Sequence, residues 1–213
     1  METSFYILFI VISLIVSINN LRQKQNPLYL KAFPYYLCAT LIIECVGFYR
    51  WSQKLNTTSL YNFFGLFEFM FYFFLLHEII ESVKFKRLIK YFFIFYPALF
   101  FLNIFFYQVD GFASVTYSLG CLMVTSICIY YFFELFQSNH SVILIREPAF
   151  WICTGLLFFY CCTFPYFSLA NFMHNFPSII MNNISALLNL MNSLLYSLFT
   201  IAFLCRIRIR KSM

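Results

Sequence analysis

From Leu60 to Ile80 the chain reads LYNFFGLFEFMFYFFLLHEII, with seven phenylalanines, a carboxylate, Glu68, near the middle and a second, Glu78, close to the end. A mostly apolar run of about 20 residues, coiled as a helix, matches the roughly 30 Å hydrocarbon core of a bilayer. A soluble chain would need a much larger body to bury so many aromatic rings. The stretch therefore reads as a membrane span, and an acid inside a span is a candidate functional group by default because it is costly to keep there.

The rest of the sequence agrees. Of its 213 residues 62% are hydrophobic and only 10% charged, against about 25% charged in a typical globular protein. The formal net charge of +6 lies in short basic clusters between apolar runs, a topology signal rather than a nucleic-acid footprint. All eight cysteines fall in or beside apolar runs, with no CxxC or Cys/His cluster. No zinc site, disulfide framework or cofactor is expected from such a pattern.

In order, the apolar runs predict an all-α membrane protein of seven transmembrane helices in one domain, residues 1–213. The spans fall at about 4–18, 34–51, 60–80, 91–107, 112–136, 148–167 and 177–205. The first run lacks a basic leader and a small-residue cleavage site, so a retained helix is expected rather than a signal peptide. Pro97 is expected to kink the fourth span. Alternate connections, together with the RIRIRKSM tail, collect twelve of the fourteen basic residues on one side, leaving Arg50 and Lys54 on the other. The positive-inside rule then puts the N-terminus outside and the C-terminus in the cytoplasm, in an inner membrane.

Two carboxylates define the first candidate site. Glu44 lies seven residues before Trp51 and Glu68 seven after Tyr61, so both sit roughly 10 Å below the outer boundary of their spans. On adjacent antiparallel helices they share one depth, where they could share a proton, bind a cation, pair with a cationic ligand, or simply tie helices together. In the seventh span Asn182, Ser185, Asn189, Asn192 or Ser193, Tyr196 and Thr200 recur at three- and four-residue steps. That polar stripe is expected to face the bundle, where it either hydrogen-bonds between helices or walls a cavity that Glu44 and Glu68 also line. Ser114, Ser118, Cys121, Thr125 and Cys128 form a weaker stripe in the fifth span. At the cytoplasmic end His77, Glu78, Glu134, Arg146 and Glu147 are candidates for a polar network.

There is no HExxH, GxSxG, P-loop or dinucleotide fingerprint, so no enzyme is expected. The segments REPAFWICTGLLFFY (Arg146–Tyr160) and YNFFGLFEFMFYFF (Tyr61–Phe74) resemble a group of multispanning, about seven-helix, inner-membrane proteins of Bacteroidota-type bacteria. Arg146, Glu147, Pro148 and Trp151 match the first motif, and Asn62 and Glu68 the second. The group has no activity to carry over, but its members tend to be encoded beside signalling proteins. The expectation is a small sensory or accessory module in the lipid bilayer. It would bind a small or lipophilic ligand among its helices and act through a cytoplasmic signalling partner. A proton-coupled transporter using the two carboxylates is the alternative, with an intramembrane lipid-modifying enzyme behind it.

Overall fold

Backbone buried in hydrocarbon must satisfy its own hydrogen bonds, and the helix does so within a single segment. The computed structural model describes residues 5–21, 26–109, 111–137, 144–171 and 177–211, with side chains left undescribed at 20, 178–182 and 206–211. Among them are seven α-helices and no strand: α1 (Tyr6–Leu21), α2 (Leu28–Ser52), α3 (Thr58–Ile79), α4 (Val83–Leu102), α5 (Ser114–Gln137), α6 (Pro148–Leu169) and α7 (Ser178–Lys211). A π-helical turn, Asn103–Tyr107, continues α4. Six of the helices are long and apolar enough to cross a membrane. The 16 residues of α1 rise only about 24 Å, short of the roughly 20 residues a perpendicular crossing needs.

The helices α1, α2, α3, α5, α6 and α7 follow one another around a closed bundle, and α4 packs outside against α3 and α5. Aromatic rings fill the middle. Phe33 of α2 meets Phe199 and Phe203 of α7 with centroids 4.9 and 5.2 Å apart. Phe69 and Tyr72 of α3 meet Tyr160 of α6 at 5.4 and 5.9 Å. The outer faces carry exposed apolar side chains such as Ile94, Phe106 and Phe136, a surface suited to lipid.

Helix limits depart from the sequence reading where polar residues ride on a helix. Pro34, expected to open the second span, is buried inside α2, which starts at Leu28 behind Pro27. Surrounding helices in a bundle tolerate such a proline. Likewise α4 begins at Val83 and takes in Lys84, Lys86, Arg87 and Lys90, whose long stems can lie along an apolar surface while the charges reach water. Arg22 and Lys24 lie outside the described residues.

The α2–α3 turn sets up the site. Leu55 N–H donates to Arg50 O and Lys54 N–H to Trp51 O, both at 2.9 Å, with Lys54 in the left-handed region at φ 55°. These are the paired bonds of a Schellman closure, which ends a helix sharply. Asn56 Oδ1 then accepts the Thr58 N–H at 2.7 Å and starts α3. The carboxylate-bearing turns of α2 and α3 are thereby folded back beside each other.

Candidate functional site

A cavity of about 400 Å³ opens at the end of the bundle where odd-numbered helices begin and even-numbered helices finish. Both Glu44 and Glu68 line it, with tyrosines and phenylalanines from α1, α3, α5, α6 and α7. Each carboxylate is held by phenol hydroxyls from other turns of the bundle.

Glu68 is 8% exposed and forms the inner wall. Its Oε1 lies 3.2 Å from the Tyr36 hydroxyl (α2) and 3.4 Å from the Tyr72 hydroxyl (α3), and accepts from whichever of the two does not donate to the other. Its Oε2 accepts the hydroxyl of Tyr117 (α5) at 3.3 Å. The Tyr36 and Tyr72 hydroxyls are themselves 2.6 Å apart, and neither residue lines the cavity, so this contact lies behind Glu68. The Tyr160 hydroxyl interacts with the same group but falls short of hydrogen-bond geometry with any partner. Gly65 makes room for this arrangement, since a Cβ there would lie 3.1 Å from the Tyr117 ring.

Glu44 sits nearer the mouth. Its Oε2 accepts the Tyr6 hydroxyl of α1 at 2.6 Å, and Tyr61 of α3 bonds to the same carboxylate. The Tyr61 hydroxyl passes directly over Gly47, where any side chain would collide with it. Sharing the cavity rather than bonding to one another, the two acids each keep their own tyrosines.

An amide network fixes the rim. Asn62 of α3 donates to Gly111 O at 3.1 Å and accepts the Ala113 N–H at 3.0 Å. Asn171, just past α6, donates to Phe112 O at 2.9 Å and to Ser114 Oγ at 3.2 Å. In the π turn Asn103 reaches Thr116 Oγ1 at 3.1 Å and Gln108 Oε1 at 2.9 Å. Together they pin the segment from which Phe112 reaches into the cavity wall.

The α7 stripe divides. Asn192 and Tyr196 line the cavity, whereas Ser185 is exposed and Asn189 is partly exposed away from the lining. Asn182 has its side chain outside the described residues. The stripe also has polar partners on its own helix. Asn192, Ser193, Ser197 and Thr200 each donate to the carbonyl four residues earlier, at 3.0, 2.8, 2.7 and 2.8 Å. Hydroxyls and amides satisfied on their own helix need no polar partner opposite them. On α5, Ser114, Ser118, Cys121 and Cys128 are buried.

At the opposite end His77 Nδ1 and Glu78 Oε1 are 3.6 Å apart, an ion pair when the imidazole is protonated. Glu134 of α5 instead accepts the backbone N–H groups of Glu81 at 3.1 Å and Ser82 at 2.8 Å, capping α4. Arg146 is exposed in a 3-10 turn, and the Glu147 N–H bonds to Leu144 O at 3.1 Å as α6 begins. No group of His, Cys, Asp and Glu able to hold a metal ion occurs among the described residues.

Tyr6, Tyr36, Tyr72 and Tyr117 were not singled out from the sequence, and Tyr61 only as the mark of a span's outer end. The available signal was the tyrosine itself, since a phenol buried in an apolar helix needs a partner for its hydroxyl. Comparison with known protein families, curated proteins and solved structures finds no match to this chain.

Proposed function

We propose that this chain is a ligand-responsive membrane module: a small molecule enters the cavity around Glu44 and Glu68, and its occupancy is passed to a partner at the opposite end. The cavity itself carries the proposal, because a space of about 400 Å³ with two acids on its walls falls in the size range of small-molecule sites. The reading takes all seven helices as spans. With twelve of the fourteen basic residues falling in the connections and tail that the sequence assigns to the far side, the positive-inside rule puts that side in the cytoplasm and the cavity mouth outside.

Two contacts supply a route for the signal. Near the cavity Tyr117 of α5 holds Glu68 of α3. At the far end Glu134 of α5 holds the Glu81–Ser82 connection leaving α3. A ligand that displaces the first contact changes how α5 lies along α3, and the second delivers that change to the basic first turns of α4. These turns are where a cytoplasmic partner would bind. The proposal assigns no reaction to the cavity.

The test is a thermal-unfolding screen of the purified full chain in nanodiscs against soluble metabolites and lipids. A compound that raises the midpoint of the wild type, but not of a cavity-filled Asn192→Phe variant, supports the proposal. A screen in which no compound separates the two proteins contradicts it.

The 2.6 Å Tyr36–Tyr72 hydroxyl contact behind Glu68 favours a second reading, a proton-coupled carrier, because it offers a proton at Glu68 two further oxygens on the side away from the cavity. Proteoliposomes would settle it: a carrier takes up the stabilising compound faster under a pH gradient, and a receptor does not.

A further inference from the structure

Resting on the reading of the cavity as a ligand site, we infer that its ligand is an organic cation, an amine or quaternary ammonium compound. Three features of the wall combine. Glu44 and Glu68 both reach the cavity, and none of its described lining residues is Lys, Arg or His. An anionic ligand would meet two acids with no counter-charge, whereas a cation would find both. The remaining wall is largely aromatic. Tyr117 and Phe167 stand with centroids 4.2 Å apart, and Phe112 lies 5.4 and 6.0 Å from them, forming a continuous ring surface beside Glu68. Ring faces attract ammonium groups within about 6 Å, most strongly where water is excluded, and aromatic cages are how proteins recognise quaternary ammonium compounds.

The third feature is the spare capacity of Glu68. Its three phenol contacts are 3.2, 3.4 and 3.3 Å long, against roughly 2.5–2.7 Å for strong O–H···O⁻ bonds, and the Tyr36–Tyr72 bond takes up one of the three hydrogens. By comparison, Tyr6 binds Glu44 at 2.6 Å. Glu68 is thus surrounded by donors without being tightly claimed by any of them. An ammonium group between Glu68 and the Phe112–Tyr117–Phe167 wall completes its coordination, while Glu44 at the mouth attracts the cation inward.

The experiment is isothermal titration of the full chain in nanodiscs with choline, with its neutral carbon isostere 3,3-dimethylbutan-1-ol, and with 1-octanol. Choline binding at least tenfold tighter than the isostere is expected. Glu68→Gln should cost choline at least tenfold and leave the isostere unchanged, and Phe167→Leu should weaken choline severalfold without touching either acid. Unfolding midpoints of the variants verify that each is folded. Equal binding of choline and its isostere, or binding of octanol alone, overturns the cation inference and leaves the ligand reading standing. No binding of all three overturns both.

Discussion

Tyr6 of α1 donates a 2.6 Å hydrogen bond to Glu44 of α2, and through it the shortest helix of the bundle is tied to the mouth of the cavity. The remainder of α1 packs against α2 and α7, with Ile10, Ser13 and Ser17 fully buried. Tyr6→Phe removes the hydroxyl and keeps the ring, so it should cost about 1 kcal/mol. Thermal unfolding in nanodiscs measures this, and Glu44→Gln in the same background should show the two losses to be non-additive, as expected for partners in one bond.

Lys54 adopts φ 55°, a conformation that a side chain disfavours and glycine accepts freely. Its N–H and that of Leu55 close α2. Lys54→Gly is therefore expected to stabilise the protein by about 0.5–1 kcal/mol, raising the unfolding midpoint. A lower midpoint would show that the lysine side chain contributes more than its backbone strain costs.

Asn62 meets two backbone groups of the segment before α5 and is 7% exposed. Truncation to alanine strands the Ala113 N–H and the Gly111 carbonyl together, a loss of about 2–3 kcal/mol. Asn62→Asp keeps the acceptor and should fall between. Hydrogen exchange of the Ala113 amide reads the local consequence, with faster exchange in Asn62→Ala than in Asn62→Asp.

Glu134 caps α4 across a gap of 53 and 52 residues in sequence. Glu134→Ala should destabilise by about 1–2 kcal/mol, and Glu134→Gln, which keeps one acceptor oxygen, by less. If the proposed route is right, Tyr117→Phe at the other end of α5 should also speed hydrogen exchange at Ser82. Unchanged exchange there would break the route.

How far the sequence carried depends on whether a signal is local or spans the chain. Glu68 stood out because a carboxylate among seven phenylalanines is anomalous within a single window, and its depth relative to Glu44 followed from counting turns. The partners of Glu68 were hidden, because Tyr36 and Tyr117 lie 32 and 49 residues away and helix rotation cannot be read from one strongly apolar segment. The α7 stripe shows the limit of a local pattern. Its three- and four-residue spacing is real, but the same spacing lets Ser193, Ser197 and Thr200 bond to their own backbone, so periodicity alone did not say which positions meet the cavity. Glu134 was recognised as a polar group near a helix end, while its role as the cap of another helix needed the fold.

The most direct test of the cavity is side-specific labelling of a cysteine placed on its wall. With Asn192→Cys in the full chain, and Ile152→Cys in the fully buried interior as control, the membrane-impermeant trimethylammonium thiosulfonate MTSET is added to either face of sealed vesicles. Peptide mass spectrometry then counts modification of the introduced cysteine. A water-filled cavity open at the outer face predicts that Cys at 192 reacts from outside and not from the cytoplasmic side, while Cys at 152 stays unmodified. No reaction at 192 from either face, or reaction from the cytoplasmic face alone, would contradict the account.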